Sequence, residues 1–425
     1  MRARYLLAVL GGYAAAEYGM SLLVRRLKPS FPWLLTPEDD APQIPATLVE
    51  RHIARSFDPE LGWCRRPGEH STEVTDEGRT SYAVDDRGCR RNPGFEGKPA
   101  TVACFGDSFT FCRLVDDDQT WPHQLSRLLG VNAANFGVGN YGLDQALLRL
   151  ERELADLEAR VVVMGVVPET IARVHSYWKH YFEYGNILAF KPRFTLGPDG
   201  LRLHPSTVRG PGDYATYRQR LTEIIELDPF YAGKFRHDVL RFPYAPKLVR
   251  RAHRHLPMLA HLTGGLLRGA RHRDRAVRKA FGVVLRDNAR WTARLYADPE
   301  ALRLMRALIE RFAAVCRAAG RHPVLLVIPQ LVDLERRDGG TAHQGLLAEV
   351  SATVPVVDLT ERFRQDPNRA GLFAYGRLGP HCSHRGNALV AEALRPVVGA
   401  LLARDDQAAT RSPAEPTDRA VRRGD

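Results

Sequence analysis

The chain has 425 residues, 44% of them hydrophobic and 26% charged, enough apolar material for one large α/β domain with additions or for two packed domains. Its formal charge of +12 comes largely from arginine and suits an anionic partner such as membrane lipid, acidic glycan or nucleic acid; with no zinc-finger, RNP-type or basic-zipper pattern, nucleic acid is not expected. The six cysteines contain no Cys-x-x-Cys pair, which argues against structural zinc, and Cys64 and Cys89 read equally as a bridge or as free thiols.

Residues 1–28 carry Arg2 and Arg4, an apolar run from 5 to 24, then Arg25, Arg26 and Lys28. That is the pattern of a membrane anchor, or of a cleavable signal if Ala14-Ala15-Ala16 is the small-residue site, and it directs the protein to the cell envelope, with the periplasmic side favoured. Glu17 opposes both readings because an acid in hydrocarbon is costly, and an amphipathic surface helix is the alternative. Residues 29–99 form a Pro-rich linker over 29–45, then a small β-rich lead-in punctuated by Gly62, Pro67, Gly68, Gly78 and Gly88.

From 100 to 404 the pattern alternates. Strands are expected at 101–105, 131–136, 161–167, 324–328 and 354–357, and helices at 121–129, 143–158, 302–319 and 388–402. Such alternation predicts a five-stranded parallel sheet covered on both faces. An insertion of about residues 170–300 interrupts it. Pro198-Asp199-Gly200 marks a hairpin there, and the helical stretch 244–295 is rich in arginine (Arg250, Arg251, Arg254, Arg271, Arg273, Arg275), read as a solvated face in preference to one resting on anionic lipid. The tail 405–425 is polar and reads as disordered.

Three separated segments carry chemistry. Val102 to Phe105 is a short apolar run that ends in Gly106-Asp107-Ser108, which puts a hydroxyl at the carboxyl edge of the sheet; taken alone, those three residues are also ordinary turn chemistry. The loop Asn135 to Gly142 is glycine-rich, so its backbone N–H groups can face a developing negative charge together with that of Ser108. His381, in His381-Cys382-Ser383-His384, supplies the base that a serine needs near pH 7. His381 and His384 lack further ligands at suitable spacing, so no metal site is expected, and no cofactor either.

Over roughly residues 101–402 the chain resembles the SGNH hydrolases, also called the GDSL family: Gly106-Asp107-Ser108-Phe109-Thr110 is similar to its first block, Asn135 to Gly142 to its second and His381 to Asn387 to its last. The resemblance implies a flavodoxin-like three-layer α/β/α fold and an acyl-serine that serves ester hydrolysis or O-acyl transfer. Ser108 would be the nucleophile and His381 its base, with the amides of Ser108, Gly139 and Asn140 as oxyanion donors. The departures are plain. Asn140 stands where the second block carries Gly; Val167-Pro168-Glu169 stands in place of the third-block Asn; Leu378 and Gly379 stand where an Asp should precede the histidine. Glu169 is the expected supporting acid, and Asp107 more naturally binds local amides.

The substrate would be an ester or acylated carbohydrate, with Tyr177, Trp178, Lys179, Tyr181 and Tyr184 readable either as a sugar site or as packing. Two other classes compete: a non-catalytic glycan-binding module, and a dinucleotide site at Gly137-Val138-Gly139-Asn140-Tyr141-Gly142, which matches Gly-x-Gly-x-x-Gly with Glu169 after the next strand. The second leaves Ser108 and His381 unexplained.

Overall fold

The computed structural model describes residues 2–336, 341–376 and 379–411. Its centre is a five-stranded parallel sheet formed by β1 (Ala100–Gly106), β2 (Asn132–Asn135), β3 (Val161–Val166), β4 (His322–Val327) and β5 (Val356–Asp358), in the order β2-β1-β3-β4-β5. Registers such as Cys104 opposite Val163 and Val324 opposite Val163 keep the apolar runs level with one another. Val102, Ala103, Cys104 and Phe105 are fully buried, which is why these strands read as continuous apolar stretches rather than alternating ones. Each Val or Phe so buried contributes about 1.5–3 kcal/mol relative to exposure.

Helices cover both faces. Short α1 (Ser108–Phe111) and α2 (Trp121–Leu129) pack with the closing helix on one side; α3 (Leu143–Glu153), α4 (Thr170–His175) and α5 (Pro299–Ala318) lie on the other. This is a three-layer α/β/α sandwich. β1 has β2 on one side and β3 on the other, so the strand order reverses at β1, and the crevice at its carboxyl end is where such sheets bind ligands. The closing helix α6 (His384–Arg411) runs past the expected boundary at 404, because its apolar face stays on the sheet through Leu401 and Leu402 and Asp405 then accepts from His322. Of the expected tail, residues 412–425 lie outside the described residues.

The lead-in is tied to the far end of the chain. Strands His70–Thr75 and Gly78–Ala83 form a hairpin, and Gly376 pairs with Thr75 to join it to a second hairpin, Phe373–Gly376 with Gly379–Cys382. All six cysteines are free. The insertion contains the expected hairpin as Arg193–Gly197 and Gly200–His204, then helices Tyr244–Arg250, Ala252–Leu267 and Ala270–Leu295.

Residues 29–45 are not a linker. Phe31, Leu34 and Leu35 are fully buried in the aromatic core of the insertion, together with Val24 and Leu27 from the end of the first helix, Arg2–Leu27. Glu17 is only 4% exposed, and its carboxylate accepts from the backbone N–H groups of Tyr244 and Ala245, capping the helix Tyr244–Arg250. Before it, Tyr5, Leu6, Leu7, Val9 and Leu10 are exposed. The stretch Arg4–Ser30 is long and apolar enough to cross a membrane; His384–Gln407 passes the same test but packs on the sheet.

Candidate active site

Ser108 stands where β1 ends. Gly106 has φ 152°, and a Cβ there would lie 2.1 Å from the carbonyl oxygen of Gly165, so only glycine lets β1 approach β3 this closely and turn. Asp107 then caps α1, accepting from the Phe109 N–H at 2.8 Å. After this single turn the backbone is left-handed at Cys112 (φ 58°) and Leu114 (φ 74°). The carbonyls stranded there are satisfied by buried Arg90, which donates to Phe111 at 2.8 Å, Cys112 at 2.6 Å and Val115 at 2.5 Å.

His381 comes from the second hairpin, opposite Ala374. Its Nε2 is 2.8 Å from Ser108 Oγ, and its ring stacks on Phe109 with centroids 4.8 Å apart. To accept from the hydroxyl, Nε2 must be bare, which places the ring proton on Nδ1. Nδ1 is buried and meets no side-chain acceptor among the described residues; the Gly379 backbone is the group that favours the protonated ring. Burial, and then the charges of Arg113 and Arg173, lower this histidine to about 3 against a smaller opposing pull from the Gly379 backbone. It is therefore neutral at physiological pH. Where the resemblance would place an acid, Gly379 pairs through its backbone with Gly376, and Leu378 lies outside the described residues.

The second loop closes the other side. Asn140 is left-handed at φ 68°, which Asn accepts more readily than most residues. Its carbonyl accepts from Lys179 Nζ at 2.8 Å, and the Gly139 carbonyl accepts from Trp63 Nε1 at 2.9 Å. In a trans peptide the N–H points opposite the C=O, so pinning the Gly139 carbonyl on Trp63 turns the Asn140 N–H the other way. Among the described residues the amides of Ser108, Gly139 and Asn140 donate to no protein acceptor. A Cβ on Gly139 would lie 4.0 Å from that of Ser108, so this loop borders the hydroxyl.

Neither expected acid reaches His381. Both belong to Arg173, which meets Asp107 at 2.9 Å and Glu169 at 2.8 Å. Glu169 and Arg173 are one helical turn apart on one face, so the guanidinium captures the carboxylate before the histidine can. Glu183 extends the cluster, meeting Arg173 at 3.3 Å and Lys179 at 2.8 Å. Burial lowers Lys179 to about 8 against the pull of Glu183.

Other expectations resolve as packing. Tyr177, Trp178, Lys179, Tyr181 and Tyr184 are all buried, at 3% exposure or less; the four aromatic residues form the core of the insertion, Lys179 is spent on the Asn140 carbonyl and Glu183, and they do not line a sugar site. The Gly-x-Gly-x-x-Gly loop follows an edge strand, and a Cβ on Gly137 would fall 2.2 Å from the Phe111 nitrogen; that glycine serves the approach of α1. Arg251 and Arg254 are buried too, paired with Asp238, whereas Arg250, Arg271, Arg273 and Arg275 are exposed. A cavity of about 770 Å³ lies between the first helix and residues 240–244, away from Ser108.

Sequence reasoning missed Arg65, Arg113 and Arg173. The spacing of Glu169 and Arg173 was a legible signal; the other two arrive from segments whose approach to Ser108 only the fold creates.

No family model matches the chain, and no curated protein does. Among solved structures it is similar to a protein described as lipolytic and of the G-D-S-L family from Desulfitobacterium hafniense DCB-2, at 10% identity and TM-score 0.33, covering 70% of this chain and 98% of that one. It is also similar to TesA, at 12% identity and TM-score 0.34, covering 71% of this chain and 98% of that one. Neither overlap is close enough to transfer a role, so the reading of the site rests on its own geometry.

Proposed function

We propose that this protein is a serine esterase or O-acyltransferase of the cell envelope, acting through an acyl-serine at Ser108. The observation that carries this reading is the 2.8 Å contact between Ser108 Oγ and His381 Nε2 at the carboxyl end of β1, beside three uncommitted amides. Ser108 Oγ attacks the ester carbonyl as Nε2 takes its proton, and the carbonyl oxygen becomes an oxyanion held by the amides of Ser108, Gly139 and Asn140. Collapse expels the alcohol, which leaves with the proton from His381. Water, or the hydroxyl of an acceptor such as an envelope polysaccharide, then takes the acyl group by the same steps in reverse.

The unusual part is the missing acid. A triad carboxylate orients the histidine and stabilises the imidazolium; here stacking on Phe109 and the Gly379 backbone hold the ring without a full countercharge, which favours a slow turnover. That same observation is the support for the second reading, a glycan-binding module that keeps the fold without turnover. The apolar stretch before Glu17 supports membrane attachment.

The test is hydrolysis of an aryl acetate by the purified full chain beside Ser108→Ala and His381→Ala. Loss of turnover in both variants is expected. Equal rates in all three would remove the mechanism, and glycan binding that survives both substitutions with no turnover would favour the module.

A further inference from the structure

The chain lacks the side-chain amide expected after β3, which leaves the oxyanion with backbone donors only. The lead-in supplies another donor. Arg65 follows the short strand Gly62–Trp63, which is stitched to the second loop twice: Trp63 Nε1 donates to the Gly139 carbonyl at 2.9 Å, and the Tyr141 hydroxyl donates to the Trp63 carbonyl at 2.5 Å. Its guanidinium lies over the ring of Phe111, on the same short helix as Ser108, at 4.1 Å from the centroid. Nη1 is fully engaged, donating to Tyr82 Oη at 2.8 Å and Glu69 Oε1 at 3.1 Å.

Nη2 is left over. It donates to no acceptor among the described residues, and it is aimed at the second loop: a Cβ on Gly139 would lie 3.9 Å from Arg65 Nη2 and 4.0 Å from Ser108 Cβ. The absent side chain of Gly139 thus opens a space shared by Ser108 and a free guanidinium N–H.

We propose that Arg65 is a catalytic residue whose Nη2–H donates to the oxyanion, in the place of the missing third-block amide. This rests on the acyl-serine reading of Ser108. As the Ser108 Oγ–carbon bond forms, the carbonyl π pair moves onto oxygen and the serine proton moves to His381; Arg65 keeps all its protons and contributes charge and one hydrogen bond. When the oxyanion collapses, the bond to the leaving alcohol breaks and the alcohol takes the proton from His381. With no carboxylate beside His381 to stabilise the imidazolium, the barrier depends more heavily on how firmly the oxyanion is held, and a fixed positive charge holds it better than a neutral amide.

The experiment measures kcat and KM for a neutral aryl acetate with the full chain, Arg65→Gln and Arg65→Lys, with thermal unfolding of each. Both variants are expected to lose about 10²- to 10³-fold in kcat with KM within about threefold, the mark of an interaction made only in the transition state. Lysine does not rescue, since one ammonium cannot reach Tyr82, Glu69 and the oxyanion together. A second readout is the ³¹P resonance of the adduct formed by a neutral fluorophosphonate on Ser108, which should shift in Arg65→Lys. Unchanged kcat, or a raised KM at unchanged kcat, overturns the proposal and leaves the serine mechanism standing; an unshifted phosphorus resonance in a folded Arg65→Lys does the same. A wild-type chain that neither turns over nor takes up the phosphonate overturns both.

Discussion

Two of the buried-charge clusters among the described residues contrast in a way that shows what marks a site. Behind Ser108, Arg173 gathers Asp107, Glu169 and Glu183, with Lys179 beside them. Inside the insertion, Asp238 and Asp287 are met by Lys234 and Arg251, with the Tyr184 hydroxyl donating to Asp238. Both are almost inaccessible, and each has a histidine lowered to about 3, His381 in one and His255 in the other, in both cases by burial first. Perturbed titration therefore does not separate them. What separates them is where the outer contacts go: the first cluster holds the cap of the nucleophile turn and the Asn140 carbonyl, whereas the second closes on itself and on the packing of three helices.

The contrast breaks most sharply at the nucleophile. Ser108→Ala should lower ester turnover by at least about 10³-fold with thermal unfolding unchanged, whereas no substitution in the insertion cluster should lower turnover per folded molecule beyond about threefold. Steady-state kinetics normalised to the folded fraction checks it.

Next come the two hubs. Arg173→Met strands Asp107 and Glu169, and Asp238→Ala leaves Lys234 and Arg251 to share Asp287 alone; breaking either buried network should cost about 3–5 kcal/mol by denaturant unfolding. Only Arg173→Met should also reduce kcat in the molecules that remain folded. A third substitution isolates the loop: Lys179→Met frees the Asn140 carbonyl and should lower kcat by about 10- to 100-fold through misplaced amides, with KM nearly constant.

A pH series sharpens the comparison with a smaller effect. His381 has a folded-state pKa of about 3, so it stays an unprotonated base and kcat/KM should hold down to about pH 4–5, with no acidic limb between pH 6 and 7. For both histidines the folded pKa is depressed below the ordinary 6.5, so the unfolded chain binds more protons in between, and stability should fall as pH drops from about 6.5 toward about 3. The smallest effect is expected for Glu169→Gln, which keeps an acceptor for Arg173 and does not touch His381: less than about threefold in kcat. A collapse of turnover there would make Glu169 a functional acid after all.

Much of the frame was legible in the residues. The apolar run before Gly106 announced β1, the helix at 121–129 falls on the expected residues, and Ser108 and His381, 273 positions apart, are in contact. The sheet makes that contact readable, since loops at one edge converge whatever their separation. What was not legible has a common cause. Glu169 reads as an acid near the site only until Arg173, one turn later, claims it; the tyrosines and tryptophan near residue 180 look like a sugar platform until the insertion folds around them. Arg65 sits in unmarked sequence, and Lys179 was grouped with the tyrosines, because their meaning lies in which carbonyl or ring they reach, and no local period records that. The buried residues of 29–45 were misread for a related reason: proline-rich composition signals a linker, but Phe31, Leu34 and Leu35 have an apolar core to enter.

That segment has a mechanical consequence. With Glu17 fastened to the start of the helix Tyr244–Arg250 and Phe31 seated in the insertion, the first helix is a rod fixed to the folded body and not a string from which it hangs. Such a mount has no slack. If the exposed apolar half of that rod is held in a membrane, the mouth at Ser108 sits at one height and one tilt above it, and samples a thin shell of its surroundings instead of sweeping a volume.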